Sequence, residues 1–252
     1  MERNLTSGSV LKNILYFSLP YLLSYFLQTL YGMADLFIIG QFEGVAGTTA
    51  VSIGSQVMHM LTVMIVGLAM GSTVSIAKAI GANDKKEASR SIGNTVTLFM
   101  LIAVALMVIL LCLVHPIVAV MSTPLEAVSG TVTYLTICFI GIPFITAYNI
   151  ISSVFRGLGD SRSPMYFIAV ACVTNIVLDY VFIGALHLGP AGAALGTTLS
   201  QAVSVVIALI VILKKNTGIS VSKKDFRPQH RAMGQILRIG IPVAMQDGLI
   251  QI

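Results

Sequence analysis

Six stretches of the chain, at roughly 13–39, 50–77, 91–114, 131–155, 164–186 and 190–213, stay apolar over ~20 or more residues each. A helix of that length crosses a ~30 Å hydrocarbon core at 1.5 Å per residue. A backbone in hydrocarbon must satisfy its own hydrogen bonds, so such a chain becomes a bundle of spanning helices. Membrane β-strands would be ~10 residues long and strictly alternating, a pattern that is absent. Composition agrees: 56% of residues are hydrophobic and 10% charged, where soluble domains carry ~25% charged residues. A seventh apolar run starts near Ile236 and stops with the sequence at Ile252, a reach of only ~25 Å. The chain therefore reads as an all-α integral membrane protein: a six-transmembrane-helix bundle plus the start of a seventh helix, its natural continuation missing.

The basic residues give an orientation. Of fifteen Lys and Arg, Arg3 and Lys12 precede the first span, and Lys78, Lys85, Lys86 and Arg90 surround the turn after the second. Arg156 and Arg162 flank the turn after the fourth. Lys214, Lys215, Lys223, Lys224, Arg227, Arg231 and Arg238 lie between the sixth span and the early seventh. The other three connections contain none. All fifteen fall on one side, which the positive-inside rule makes the cytoplasm, with a cytoplasmic N-terminus in a plasma (bacterial inner) membrane. The net charge of +5 is thereby explained without a nucleic-acid partner. The first span is too long for a cleaved signal and reads as a retained anchor. Cys112, Cys138 and Cys172 lie in spans without metal-ligand spacing. No Walker loop, metal cluster or nucleophile–base set appears, so neither an enzyme nor a cofactor is expected.

Turn chemistry marks the connections. In GANDKKEASR, Gly81 suits a helix end, and Asp84 with Glu87 resembles a capping box. In RGLGDSRSPM, Gly157 and Gly159 end one helix, while Ser163 can cap the next with Pro164 at its first position. The polar stretch 214–231 separates 1–213 from 232–252. Laying 14–30 over 236–252 pairs Ile14 with Ile236, Leu15 with Leu237, Pro20 with Pro242 and Leu27 with Leu249. That weak repeat would run parallel to the first copy.

An ordered set of motifs carries a resemblance. It comprises YGMADLFIIGQ, the GANDKKEA turn, an Asn ahead of FRGLGDSRSPM, then TNIVLDYVFI and GPAGAALGTTLSQA. The chain resembles, over essentially all 252 residues, the N-terminal half of the multidrug and toxic compound extrusion (MATE) transporters. The resemblance implies two lobes of six spans. On that reading 1–213 is the first lobe, 214–231 a cytoplasmic inter-lobe linker, and 232–252 the start of a second lobe that is missing. It also implies secondary active export of amphipathic, often cationic, compounds in exchange for Na⁺ or H⁺, with membrane lipid as the surroundings. Two alternatives stay open. One is a related flippase for lipid-linked oligosaccharides, which would want several Lys or Arg deep in the spans, where none lies. The other is a non-transporting membrane subunit.

The candidate residues follow from cost. Asp179 lies ~22 Å into its span, where an acid costs ~2.5–3.5 kcal/mol to insert and so faces a bundle interior or water. Asn175 shares its face one turn earlier. Asp35 closes a polar stripe with Ser24, Gln28 and Tyr31 near the outer end of its span, and the resemblance favours a functional role over an interfacial one. Thr197 matches the depth of Asp179. Asn149 enters by resemblance alone, because its depth fits only a tilted or extended fourth span. His59 and the methionines Met58, Met60, Met64 and Met70 read as packing or lipid-facing residues. Asp247 falls opposite Tyr25 in the repeat and is not assigned the acid's role.

Overall fold

The computed structural model describes residues 9–214 and 221–250; Arg3 and Lys215 lie outside them. The chain forms α1 (Val10–Phe42), α2 (Val45–Gly81), α3 (Lys85–Val120), α4 (Leu125–Ile140) and α5 (Ile142–Gly157). It continues with α6 (Arg162–Asp179), which runs on as a π-helical turn over Tyr180–Ala185, then α7 (Gly189–Lys214) and α8 (His230–Ile250). Five of these helices are long and apolar enough to cross a membrane, and the bent α4–α5 pair makes a sixth span. α8, interrupted by Arg238 and Asp247, is not among them.

The first three helices and α7 outrun their apolar stretches at both ends. α2, at 37 residues, reaches ~55 Å, well past a ~30 Å core. Hydropathy locates the part in lipid, whereas the helix stops only where its turn chemistry stops it. The fourth span, read as one helix, is two, bent by 49° at Gly141. Pro143 sits in the first turn of α5 and has no N–H to donate backward, so the ladder breaks there.

Two caps differ from expectation. At the start of α6 it is Asp160, not Ser163, that caps: one carboxylate oxygen accepts the Arg162 and Ser163 N–H groups at 3.0 and 3.1 Å, and the other accepts the Ser163 hydroxyl. The helix therefore begins at Arg162, and Pro164 is its third residue. After α2 the left-handed residue is Asn83 (φ 57°) rather than Gly81. Asp84 caps α3 by accepting the Glu87 N–H at 3.0 Å, but the Glu87 carboxylate turns to Arg90 instead of closing the box.

The seventh helix does not stand apart. It lies antiparallel along α2, with Gly67 against Ala244, Gly71 against Ile236 and Gly240, and Gly240 against Leu68. A Cβ at Gly71 or Gly240 would overlap a backbone carbonyl of the facing helix, so the two backbones touch. The stretch 221–229 is no loose tether either. Asn94 of α3 donates to the Asp225 carbonyl at 3.1 Å and accepts the Gln229 N–H at 2.8 Å, while Thr97 donates to the Phe226 carbonyl at 2.7 Å.

The core is layered along the bundle axis. One apolar cluster, at the end away from the basic loops, joins Ile38 and Ile39 of α1, Val51 of α2, Phe139 of α4, Ile183 and Ala193. A second, toward the basic end, joins Tyr148 and Phe155 of α5, Phe167 and Ala171 of α6, and Val205 and Ala208 of α7. α1, α6 and α7 pass through both regions, and their polar residues fall in the gap.

Candidate cation site

Three helices each place two polar residues, one turn apart, in that gap. They are Tyr31 and Asp35 on α1, Asn175 and Asp179 on α6, and Thr197 and Gln201 on α7. α1 and α6 leave the basic end and α7 returns to it, so the six form two tiers. Asp35, Asp179 and Thr197 lie farther from the basic end; Tyr31, Asn175 and Gln201 lie one turn, ~5.4 Å, nearer. The four-residue spacing keeps each pair on one helix face.

The tier farther from the basic end is dry: Asp179 is 0%, Asp35 3% and Thr197 6% exposed, and Asn175 one turn nearer is 0% exposed. Asp35 faces the bundle interior, where α6 and α7 cover it. The Thr197 hydroxyl donates to Asp35 Oδ2 at 3.1 Å. Asp179 and Asn175 both approach Asp35 closely enough to interact with it. Even so, neither Asp179 oxygen, neither polar atom of Asn175 nor Asp35 Oδ1 has a protein hydrogen bond of good geometry. Among the described residues neither carboxylate is in an ion pair, and the Arg90–Glu87 salt bridge lies on the surface.

Local backbone makes the approach possible. Asp179 Oδ1 rests on the bare Cα of Gly196, where a Cβ would collide with it. The helix that carries Asp179 loosens into a π-turn immediately beyond it, a feature that recurs at functional sites. In the lower tier the Gln201 amide faces the Tyr31 hydroxyl, and Tyr31 lies within the field of both carboxylates.

The structure thus brings together Asp35, Asn175, Asp179 and Thr197. It does not join Asn149 to them. That side chain is buried on α5 and donates to the Ile145 carbonyl of its own helix at 2.8 Å. The bend at Gly141 tilts α5 but does not bring Asn149 into a hydrogen bond with the acids. Ser24 leaves the polar stripe by donating to the Pro20 carbonyl at 2.8 Å. Gln201 was missed from sequence, although its position four residues after Thr197 is a legible signal. So is the GLAMG stretch of α2, whose Gly67 and Gly71 have the small-residue spacing of close helix pairs.

Fold and site together define a multi-pass, all-helical membrane protein with a buried acid pair between apolar layers. The MatE family model matches residues 20–181, more than half of the sequence, and the chain belongs to that family. It is 33% identical over 242 residues to the probable multidrug resistance protein YpnP of Bacillus subtilis (strain 168), covering 96% of this chain and 54% of that protein. It is 28% identical over 239 residues to the multidrug export protein MepA of Staphylococcus haemolyticus (strain JCSC1435), covering 93% and 52%. A solved MATE structure in the bent conformation superposes with a TM-score of 0.89 at 28% identity, covering 94% of this chain and 53% of that one. The chain spans about half the length of the curated relatives it matches.

Proposed function

We propose that this chain supplies the first lobe of a secondary multidrug efflux transporter, which exports amphipathic and cationic compounds in exchange for Na⁺ or H⁺. The second lobe is its partner, and the N-terminus and basic loops face the cytoplasm of a bacterial inner membrane. The observation that carries the reading is the Asp35–Asp179 pair, buried between two apolar layers with no basic side chain against it. Two ionised carboxylates ~4 Å apart repel by about 4 kcal/mol at an effective dielectric of 20. A bound proton or metal cation removes that repulsion and draws α1, α6 and α7 together. About 4 kcal/mol is a bias of nearly 10³ between two conformations, enough for one ion to favour one and a substrate the other. Relatives named for multidrug resistance and export support the substrate class.

The test is efflux of a lipophilic cationic dye from drug-sensitive cells that co-express this chain with the second lobe of a relative. Cells carrying both pieces should lose dye when a Na⁺ or proton gradient is imposed, and the Asp179→Asn variant should retain it at equal membrane level. Equal efflux by the variant would remove the acid pair from the mechanism.

A further inference from the structure

We propose that the segment 221–229, docked on the basic-end half of α3, is a binding surface for anionic phospholipid headgroups, with Phe226 seated beside them at the acyl-chain boundary. The segment is held by its backbone. The Asp225 carbonyl accepts from Asn94 at 3.1 Å and the Phe226 carbonyl from Thr97 at 2.7 Å, and a Cβ at Gly93 would meet the Asp225 carbonyl. Asn94 and Thr97 stand in the last polar turn of α3 before an unbroken apolar run, 98–114. The segment therefore lies where α3 enters hydrocarbon, and the Phe226 ring is 41% exposed there, as suits an interfacial anchor. Lys223, Lys224 and Arg227 are exposed on the same turn of chain. Lys86 and Arg90 precede Asn94 at four-residue spacing, on the helix face that carries the segment, and both charges reach the Asp225 carboxylate. The nearby acids are engaged: Asp84 caps α3, Glu87 pairs with Arg90, and Asp225 accepts the Ser222 N–H and hydroxyl. Among the described residues, Lys86, Lys223, Lys224 and Arg227 have no acid within ion-pair distance. The patch thus presents uncompensated cations around an apolar anchor. Phospholipid headgroups supply anions at that depth, and each basic residue near an anionic membrane surface favours binding by ~5-fold. A nucleic acid would meet the cations but leave the ring at the hydrocarbon edge unused. Membrane topology asks only that charges lie on this side, not that a backbone-clamped turn hold three of them around an aromatic ring.

The chain contains no Trp, so Phe226→Trp places a single fluorophore on the segment. The variant is reconstituted in nanodiscs of phosphatidylcholine and phosphatidylglycerol. Brominated acyl chains, which quench Trp on contact, are carried by one lipid or the other at equal mole fraction. Quenching should show a preference for phosphatidylglycerol of ~5-fold or more. Adding Lys223→Gln, Lys224→Gln and Arg227→Gln should remove the preference while quenching by brominated phosphatidylcholine persists, which reports that the segment still lies at the membrane. High salt, which screens the headgroups without altering the chain, should reduce the preference in the Phe226→Trp protein itself. Val108→Trp, at an exposed position farther along α3, should be quenched alike by both lipids. Equal quenching of Phe226→Trp by the two lipids overturns the proposal, and so does quenching by neither. An undiminished preference in the Gln variant or in high salt also overturns it. The same preference at Val108→Trp would assign it to the whole lipid belt rather than to this segment. Loss of the preference when inorganic phosphate replaces chloride at constant ionic strength would make the patch a site for free anions, and the lipid assignment would fall.

Discussion

Asp179 is held in place by shape rather than by hydrogen bonds. Its Oδ1 lies on Gly196, and neither oxygen has a formed protein hydrogen bond. Asp179→Asn is nearly isosteric and removes a buried charge, so the folded chain should be as stable as before, or more so, in a medium without the coupling ion. At an ion concentration 100 times the dissociation constant the unsubstituted chain should gain about 2.7 kcal/mol and the variant nothing. Chemical denaturation with and without the ion checks both halves. Gly196→Ala should fold but bind the ion more weakly, because its methyl displaces the carboxylate, and the same titration reads it. Asp179 was legible in the sequence because an intramembrane carboxylate is too costly to keep without a reason, whereas Asp35, near the outer end of its span, was singled out by the resemblance. Their partners were less so. Thr197 and Gln201 are ordinary residues in a helix rich in small side chains, and only the packing of α7 on α6 and α1 shows which face they share. Asn149 illustrates the converse: put forward by resemblance alone, at a depth that fitted poorly, it spends its amide on its own helix.

Two elements join the last helix to the bundle, and each makes a prediction. The α2–α8 contact depends on bare backbone at Gly67, Gly71 and Gly240. A Cβ at Gly248 would sit 3.4 Å from Met64 Cγ, so a Met64→Cys/Gly248→Cys pair on a Cys-free background should cross-link on oxidation. Adding Gly71→Leu should abolish the cross-link, since the side chain would enter the Ile236 carbonyl. The second element is the clamp of α3 on 221–229. Asn94→Leu removes both side-chain bonds to this segment, each worth about 1 kcal/mol net. Trypsin cleavage after Lys223 or Lys224 should then accelerate several-fold. Inside the clamp, the Ser222 N–H and hydroxyl both donate to Asp225 Oδ2 at 2.8 Å. These bonds, with the nearby Arg90 and Lys86 charges, hold the Asp225 carboxyl below its ordinary value. A depressed carboxylate stabilises above its unfolded value and ceases to as pH falls through the folded one. Protection of the segment should therefore weaken in acid, and an acid-stable protease should show no such change in Asp225→Asn. None of this was visible in the sequence as a linker: polarity marked where the chain leaves the membrane, not what it docks on.

At the scale of the molecule, six apolar runs and one-sided basic loops were enough to set the class of fold and the order of the spans. The bend at Gly141 escaped because hydropathy is continuous through it, although Pro143 marks it chemically. The antiparallel course of α8 along α2 agrees with the direction assigned from charge. An impermeant thiol reagent applied to intact cells should therefore leave a lone Cys at position 84 or 222 unlabelled; labelling from outside would reverse the topology. The central claim, that the acid pair holds the coupling ion, is tested most directly by infrared difference spectroscopy of the carboxyl groups in the purified, membrane-reconstituted chain. Spectra would be taken as the sample is exchanged from an ion-free alkaline buffer to one containing Na⁺, and separately to acid. The account predicts a carboxyl band change on one of these exchanges that disappears in both Asp35→Asn and Asp179→Asn. Difference spectra identical among the three proteins would contradict it.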